Sequence, residues 1–599
     1  MEAGTAATST GSKTIADLLP RAAGLFADRV AQKHKIDGVW ADVTFADVGV
    51  AVSEIGRGLI DLGIEPGERV SILCTTRVEW TYCSFAISGA AAVVVPIYPT
   101  NSPEECEWVT GNSESVAIFC EDASQVAKIA SVRDRLPKLR HVIVVESDGA
   151  PDGTITLDAL RERGVSRDES ELTARAAAVS ATDPYTFIYT SGTTGPPKGC
   201  VLTHGNYRAV LDMVAARGIL GDDDDLVYLF LPLAHSFGLL LQLICADRGI
   251  AIAYWGGDTT KIIPELSEVH PTYLPSVPRI FEKLYTLVTA NADPELIAKA
   301  TQIGLKVREL QAAGEPVPEE LQAHFDKADE QLFQNVRAAF GGRVREAVTG
   351  AAPIAKEILE FFYACGVPVM EGYGMTETST TATGMRPGEH RFGSVGRAHP
   401  GVEISIAEDG EILLKGANIF GGYYKNDDAS FGAVVDGWLH TGDVGRLDED
   451  GFLYITGRKK DIIITAGGKN LTPANIENDL KQTRWVSQAV MHGDRRPFPV
   501  VLITLDEEEI VPWARSKADP PIEDTSIEAL AVNPQVIALI GAELDHINEK
   551  YAQVEQVKKF FILEHDLTQE TGELTPTLKV KRNVVNEKYA KRFDDLYAA

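Results

Sequence analysis

The residues between 189 and 199 combine hydroxyl groups, glycines and one lysine in a spacing that suits polyphosphate binding. They read Tyr-Thr-Ser-Gly-Thr-Thr-Gly-Pro-Pro-Lys-Gly and follow a short β-type segment, 185–189. Glycines let the backbone approach a ligand closely, and successive N–H groups in such a turn form an anion nest. Hydroxyl donors and a lysine ammonium add contacts that suit phosphate. We therefore predict a phosphate-binding loop. Its predicted binding residues are Thr190, Ser191, Gly192, Thr193, Thr194, Gly195 and Lys198.

The order of residues separates this loop from the common nucleotide-binding loops. A Walker A loop needs Gly-Lys-Ser/Thr, whereas Lys198 precedes Gly199 here. A flexible surface turn is the plainer interpretation of a glycine-rich loop. The full string nevertheless resembles the phosphate loop of the adenylate-forming enzymes: acyl-CoA synthetases, peptide-synthetase adenylation domains and firefly-type luciferases. Further segments match the same pattern in the same order. These segments are 231–238, 349–353, 371–377, 438–443 and 575–582.

The resemblance implies roles for the residues of the first three segments. His235 would border the acyl carboxylate as a catalytic residue, although a satisfied core histidine is the alternative. Thr376 would donate a hydrogen bond to the α-phosphate. Glu377 is a hard oxygen ligand that suits Mg²⁺, and Thr190 would join it at the metal. Small residues beside a tyrosine would admit and stack a purine. The residues implied for the adenine pocket are Gly350, Ala351, Glu371, Gly372 and Tyr373.

The later segments imply a ribose site and a hinge. Asp443 and Arg458 stand where the family holds the ribose hydroxyls. Lys460 occupies the hinge position, where one residue's dihedral angles absorb a domain rotation. The loop 466–470 would then face the site during thioester formation and line the tunnel for the pantetheine arm of coenzyme A. The residues implied in this part of the cofactor site are Lys460, Gly467 and Lys469.

The tail segment 575–582, Thr-Pro-Thr-Leu-Lys-Val-Lys-Arg, resembles the part of the family that carries a catalytic lysine. Lys579 aligns with that role, but Lys581 lies two residues away on the same predicted strand face. Many relatives read Ser-Gly-Lys-Ile here, so the choice between the two lysines stays open. Together with 271–282, this variant looks most like the long-chain acyl-CoA synthetases.

Composition limits the partners and the compartment. The chain has 599 residues and a net charge of −29, which makes it a poor nucleic-acid binder. Its seven cysteines form no C-x-x-C pair, so we expect neither a disulfide framework nor a zinc site. The compartment that we expect is a reducing cytoplasm. No signal peptide or spanning helix is expected. Transient peripheral contact with the inner face of a membrane, and the oligomeric state, stay open.

The pattern along the chain predicts an α/β fold. Short apolar segments alternate with helical ones, which indicates parallel sheets wrapped by helices in a large domain, 14–459. A β-rich subdomain is expected over 401–454, and a small, mobile α+β C-terminal domain over 460–599. Residues 1–13 are expected to be disordered. The polar stretch 293–340 predicts a helical hairpin, which we interpret as solvated rather than as a lid or membrane contact.

These observations together predict a long-chain fatty acid–CoA ligase. It would use ATP and Mg²⁺ to form an acyl-adenylate, release pyrophosphate, and then transfer the acyl group to coenzyme A. The alternative is a fatty acyl-AMP ligase that delivers its adenylate to a carrier protein. A nucleotide-sensing module without catalysis is a second alternative, which the joint presence of Lys198, Glu377, Asp443, Arg458 and Lys579 disfavours. A luciferase-type oxidation is a third alternative.

Overall fold

The computed structural model describes residues 9–190, 196–221, 224–289, 292–466, 469–575 and 579–598. Strands and helices alternate over the first two thirds of the chain. The strands up to residue 398 are β1 (Val30–Ile36), β2 (Val39–Thr44), β3 (Arg69–Leu73), β4 (Val93–Ile97), β5 (Ser115–Cys120), β6 (His141–Val144), β7 (Ile155–Thr156), β8 (Pro184–Thr190), β9 (Lys198–Thr203), β10 (Leu226–Leu229), β11 (Ala251–Tyr254), β12 (Tyr273–Ser276), β13 (Glu346–Thr349), β14 (Val369–Tyr373), β15 (Thr383–Gly384) and β16 (Arg397–Ala398).

Several helices of this part begin after polar residues whose side chains accept from the free N–H groups of the first turn. Thr44, Ser102 and Thr203 each form a capping box with the residue three positions on. The α-helices are α1 (Leu18–Leu25), α2 (Phe45–Asp61), α3 (Val78–Gly89), α4 (Pro103–Asn112), α5 (Ala123–Val132), α6 (Leu157–Val165), α7 (Ser170–Ala178), α8 (His204–Ala216), α9 (Ser236–Arg248), α10 (Ile262–Val269), α11 (Pro278–Thr289), α12 (Pro294–Ala313), α13 (Glu319–Ala328), α14 (Gln334–Ala339) and α15 (Lys356–Cys365). A π-helix (Asp329–Phe333) and 3₁₀ turns (Arg133–Arg135, Thr259–Lys261, Thr376–Thr378) complete them.

Two large sheets organise these strands. One has the order β16-β15-β14-β13-β12-β10-β11-β1-β2 and the other the order β7-β6-β5-β3-β4-β8-β9. The central strands of both sheets pair in parallel. Antiparallel strands close both edges of the first sheet and the β9 edge of the second, whereas β7 joins the other edge in parallel. Strands β4 and β5 are buried along their whole length, as expected for sheets covered on both faces. The predicted α/β class is therefore confirmed.

A β-rich region follows, as predicted. Its strands form an antiparallel sheet in which β18 and β20 lie at the centre. A short helix, α16 (Asp427–Ala433), interrupts it. The strands are β17 (Glu403–Ile406), β18 (Glu411–Lys415), β19 (Val434–Val435), β20 (Trp438–Leu447) and β21 (Leu453–Arg458).

The C-terminal part is a smaller α+β unit with its own apolar cores. Strand β24 pairs antiparallel with β25, and β25 pairs in parallel with β26. Its buried clusters draw on residues between 463 and 593, whereas the main cluster draws on residues between 15 and 453. The predicted boundary and hinge at 460 stay predictions. The elements are β22 (Ile463–Ile464), β23 (Asn470–Leu471), α17 (Pro473–Gln482), β24 (Val486–His492), β25 (Val500–Leu505), α18 (Glu507–Ser516), α19 (Ile527–Ala531), α20 (Pro534–Asn548), β26 (Lys559–Ile562), α21 (Arg582–Lys588) and α22 (Ala590–Ala598).

Two segments differ from their predicted character. Residues 9–13, expected to be disordered, contact α9 instead. Thr10 is buried, and its hydroxyl donates to Asp247 of that helix at 2.5 Å. Residues 1–8 lie outside the described part. The stretch 293–340 is helical as predicted, but it is not simply solvated, because Phe333 and Phe340 are fully buried in the main core.

Within the described ranges, no helix combines the length and the apolar character needed to cross a bilayer.

Candidate active site

The predicted phosphate loop connects two adjacent antiparallel strands. Thr190 ends β8 and pairs directly with Lys198, the first residue of β9. This pairing brings the two ends of the loop together and fixes Thr190 and Lys198 beside each other. The loop residues predicted to bind phosphate between them lie outside the described residues. They are Ser191, Gly192, Thr193, Thr194 and Gly195.

A tyrosine that the sequence analysis missed joins the lysine and the acidic residue of the predicted phosphate site. The Lys198 ammonium lies 5.2 Å from the centre of the Tyr423 ring. The hydroxyl of the same tyrosine donates to Glu377 Oε1 at 2.7 Å. Lys198 and Glu377, which are 179 positions apart in sequence, therefore share one neighbour. The aromatic pair after Gly421-Gly422 was the available signal in the sequence.

Glu377 is the centre of a 3₁₀ turn that follows β14 directly. Thr376, beside it, is buried, and its hydroxyl has no hydrogen-bond partner within the described ranges. The Thr190 hydroxyl contacts the Cys200 sulfur at 3.9 Å. Burial raises the pKa of the Cys200 thiol, and the nearby charge of Glu377 raises it further. The predicted metal residues therefore cluster around one thiol.

The donor set suits a cation that takes few protein ligands. Among the described residues, no group of three or more histidine, cysteine or acidic side chains could hold a metal ion. A single carboxylate with a hydroxyl nearby fits Mg²⁺, which is usually held by one or two carboxylates together with substrate phosphates. Zinc would need a larger set of nitrogen and sulfur ligands.

The predicted adenine pocket lies where β13 and β14 end side by side. A Cβ atom at Gly350 would lie 3.0 Å from the Gly372 carbonyl oxygen, so the backbones meet too closely for a larger residue. Ala351 follows with a φ of 68°, in the left-handed region. Glu371 is buried on β14, and burial raises the pKa of its carboxyl to about 8. This carboxyl is therefore largely neutral at pH 7.

Asp443 is the best-connected acid of the site. It is buried, and it accepts hydrogen bonds from the Tyr373 hydroxyl at 2.7 Å and from Arg458 Nε at 2.6 Å. Asp443 and Arg458 face each other directly on β20 and β21. Burial and the neighbouring carboxylate raise the pKa of Tyr373, so this phenol stays a donor. The structure brings Tyr373, one of the predicted adenine residues, and the two predicted ribose residues into one hydrogen-bonded group.

His235 begins the buried helix α9. Its Nδ1 accepts a hydrogen bond from the Phe237 N–H at 3.2 Å, so the ring serves as the N-cap of this helix. Burial, with a contribution from the positive charge of Lys579, lowers the pKa of His235 to about 4. The imidazole is therefore neutral at physiological pH, and it lies within electrostatic range of the C-terminal tail.

The tail returns to the site through Lys579. The Thr575 N–H donates to the Lys579 carbonyl oxygen at 2.8 Å, and the Lys579 N–H donates to the Thr575 hydroxyl at 3.0 Å. Burial and the charge of Arg458 lower the pKa of Lys579, whereas Asp443 and Glu377 act in the opposite direction. The residue as a whole keeps contact with solvent, while its ammonium interacts with these three charged groups.

Lys581 has a different position. It precedes α21 directly as the N-cap residue, and its N–H donates to the Glu573 carbonyl oxygen at 2.7 Å. The following Arg582 makes two hydrogen bonds of 2.7 Å to the carboxylate of Glu477, which anchor the tail to α17. Electrostatics therefore favours Lys579 of the two candidate lysines, because the charges of Asp443 and Glu377 act on its pKa.

The predicted hinge and loop lie beside this group. Lys460 is an exposed turn residue directly after β21. The Lys469 ammonium lies 4.0 Å from Glu555, which is a contact within the C-terminal part. Its backbone closes a turn with Thr465. Gly467 lies outside the described residues. Among these described residues, the charges of the site act on Lys579, whereas the Lys469 ammonium lies near Glu555.

Comparison with known proteins defines the class. The pattern of the AMP-binding enzyme family matches residues 19–424, and that of the AMP-binding enzyme C-terminal domain matches 460–599. The chain belongs to the AMP-binding enzyme family.

Curated relatives and solved structures agree with this class. The chain is 41% identical to the long-chain-fatty-acid–CoA ligase FadD15 of Mycobacterium bovis, with 95% of this chain and 94% of that protein covered. It is 31% identical to the peroxisomal long chain acyl-CoA synthetase 6 of Arabidopsis thaliana, with 94% and 83% covered. The fold matches the anthranilate CoA ligase AuaEII in complex with anthranoyl-AMP, with a TM-score of 0.74, 22% identity and coverage of 97% and 98%.

Proposed function

We propose that this protein is a long-chain fatty acid–CoA ligase that works in two half-reactions. In the first, the acid attacks the α-phosphate of ATP, which gives an acyl-adenylate and pyrophosphate. In the second, the thiol of coenzyme A attacks the acyl carbon, which gives acyl-CoA and AMP. The observation that carries the proposal is the hydrogen-bonded group in which the buried Asp443 accepts from Tyr373 and Arg458.

The first half-reaction needs charge stabilisation more than covalent chemistry. A carboxylate is a poor electrophile at neutral pH, and adenylation gives it a good leaving group. Lys198 and Lys579 would stabilise the negative charge on the phosphates and the acyl carboxylate. Mg²⁺, held by Glu377 with Thr190, would neutralise phosphate charge when it is bound. Thr376, whose hydroxyl has no partner among the described residues, would donate to the α-phosphate.

The nucleotide would be held by the group around Asp443. A carboxylate has about four acceptor positions, so Asp443 can receive Tyr373, Arg458 and two ribose hydroxyls together. The close backbones at Gly350 and Gly372 leave room for a flat purine against Tyr373. Neutral His235 would border the carboxylate of the acid without adding charge.

The second half-reaction would need a different arrangement. Lys579 must leave the site before the thiol of coenzyme A reaches the acyl carbon. A rotation about Lys460 would remove the tail and bring the 466–470 loop, with Gly467 and Lys469, toward the same acids. Such a domain motion can limit turnover. The arrangement described here, with Lys579 coupled to the site, would be the one that forms the adenylate.

The proposed substrate and compartment are supported by different features. The 41% identity to a long-chain-fatty-acid–CoA ligase over 95% of the chain supports a long-chain acid and free coenzyme A rather than a carrier protein. The seven cysteines are unpaired and buried, which supports the expected reducing cytoplasm. Transient contact with a membrane surface remains part of the prediction for an enzyme of a bilayer-soluble acid.

The function is tested by a panel of acids from two to twenty carbons, with ATP-dependent AMP formation as the measurement. We expect a maximum for long chains and acyl-CoA formation from free coenzyme A. Adenylate accumulation without thioester would favour the acyl-AMP ligase. No AMP from any acid would contradict the proposal.

A further inference from the structure

A short segment of the β-rich region links two parts of the site that are far apart in sequence. The Phe420 N–H donates to the Glu377 carbonyl oxygen at 2.9 Å. Two residues on, the Gly422 carbonyl oxygen accepts from the Val201 N–H at 3.0 Å, on β9. The backbone of residues 420–424 therefore fastens the strand that leaves the phosphate loop to the turn that carries the acid.

Tyr423 lies in the middle of this segment and uses both ends of its side chain. Its hydroxyl donates to one oxygen of Glu377 at 2.7 Å, and its ring faces the Lys198 ammonium at 5.2 Å. A hydroxyl bound to one carboxylate oxygen fixes the orientation of the carboxylate and leaves the other oxygen to face a ligand. A ring attracts a lysine ammonium more weakly than phosphate does, so the lysine is held but can be released.

The surroundings fix the tyrosine itself. Its backbone N–H donates to Ser430 Oγ at 2.8 Å, and its ring meets Phe420 edge-on with centroids 4.9 Å apart. A carboxylate only accepts hydrogen bonds, so the phenol is the donor to Glu377. The side chain therefore has one defined position and one defined role in the hydrogen bond.

We propose that Tyr423 is a positioning residue for the adenylate-forming half-reaction, which orients the Glu377 carboxylate for the cation and holds the Lys198 ammonium for the phosphates. The inference rests on the proposed function, since it assigns Glu377 to Mg²⁺ and Lys198 to phosphate. A tyrosine that only fills space would be the plainer explanation. The two explanations differ in whether the hydroxyl alone affects the response to Mg²⁺.

The test separates the hydroxyl from the ring. Tyr423→Phe removes only the hydroxyl, whereas Tyr423→Leu also removes the ring. Tyr424→Phe is the matched control, because that tyrosine packs on Phe187, with centroids 4.6 Å apart, on the other side of the same segment. Binding of α,β-methylene-ATP is measured by calorimetry without Mg²⁺ and at saturating Mg²⁺, and the two half-reactions are then measured separately.

We expect Tyr423→Phe to reduce the gain in affinity that Mg²⁺ provides by about tenfold, the effect of losing one hydrogen bond to a charged group. Its affinity without Mg²⁺ should equal that of the wild type. Tyr423→Leu should additionally weaken the Mg²⁺-free binding, because Lys198 is no longer held. Both variants should slow adenylate formation but still convert supplied acyl-AMP to acyl-CoA at the wild-type rate, and Tyr424→Phe should match the wild type throughout.

A Tyr423→Phe variant with the wild-type response to Mg²⁺ would overturn the inference. Equal losses in both half-reactions, with a lower unfolding temperature and an unchanged Mg²⁺ response, would overturn it in favour of a purely structural role. A wild-type protein that binds no analogue and forms no AMP would refute the proposed function itself, and the inference with it.

Discussion

Single side chains in this site serve two neighbours at once. Asp443 accepts from Tyr373 and Arg458, and Tyr423 contacts both Lys198 and Glu377. A buried acid without partners would be costly, and each of these contacts reduces that cost. The same contacts restrict the rotamers of the groups that would meet ATP. The site is therefore largely preorganised, and small changes in one side chain should have specific effects.

Glu371 differs from these acids, since its carboxyl has no hydrogen-bond partner within the described residues. Its pKa is raised by burial from 4.5 to about 8 in the folded protein. The unfolded chain loses this proton above pH 4.5, whereas the folded protein keeps it to about pH 8. The free energy of unfolding should therefore fall as the pH rises between these values, by up to about 5 kcal/mol.

We predict that Glu371→Gln removes this fall in the free energy of unfolding, because glutamine keeps the shape of the side chain but cannot ionise. Unfolding temperatures measured from pH 5 to pH 8 should decline less steeply in the variant than in the wild type. Glu357→Gln, at an exposed position of α15, is the control and should follow the wild type. Parallel curves for all three proteins would show that Glu371 is ionised in the folded state.

At the scale of elements, the contact between α11 and the start of α18 joins the large and small parts of the chain. Arg279 pairs with Asp506, and Lys283 pairs with Glu508 at 2.6 Å. Arg279 and Lys283 are about half exposed, so each pair is worth only about 0.2–1 kcal/mol and is screened by salt. Two weak pairs suit a contact that would form and break in each catalytic cycle under the proposed rotation.

We predict that the double variant Arg279→Ala/Lys283→Ala slows adenylate formation up to about tenfold, as expected from losing both pairs. Conversion of supplied acyl-AMP to acyl-CoA should not fall, because that step would use a different arrangement. High salt should affect the wild type in the same direction and the variant less. Lys306→Ala is the control, since Lys306 pairs with Glu309 within its own helix. Equal loss in both half-reactions would contradict this role.

Over the whole molecule, local patterns in the sequence predicted elements better than their arrangement. The β-type segment predicted at 185–189 lies within β8, and the stretch 293–340 predicted to be helical contains α12 and α13, because local patterns decide both. The order of strands in the sheets depends on packing between distant segments, which no local pattern encodes. Burial of Phe333 was missed for the same reason.

The candidate site follows the same rule. The motifs supplied Asp443, Arg458 and Lys579, which the structure brings together across 136 positions of sequence. Tyr423 was missed, because its contacts to two distant motifs exist only after folding. The cap that His235 provides for α9 was not predicted either, because it depends on the residue at which the helix begins.

Because the net charge is −29, the cations that lie at the site matter for ligand binding by the whole molecule. ATP and coenzyme A are polyanions that the overall field repels, so the site must provide positive charge locally. Lys198, Arg458 and Lys579 are the cations that the structure brings to it. Because Lys579 belongs to the C-terminal tail, a rotation of the small part would change the charge of the site between the two half-reactions.

The most direct test compares Lys579→Ala with Lys581→Ala in the two half-reactions measured separately. We expect Lys579→Ala to lower pyrophosphate release from acid and ATP by about 100-fold or more, the usual effect of losing one preorganised charge, while supplied acyl-AMP is converted to acyl-CoA at nearly the wild-type rate. Lys581→Ala should keep both rates. Equal losses in both half-reactions for Lys579→Ala, or a selective loss of adenylate formation in Lys581→Ala instead, would contradict the account.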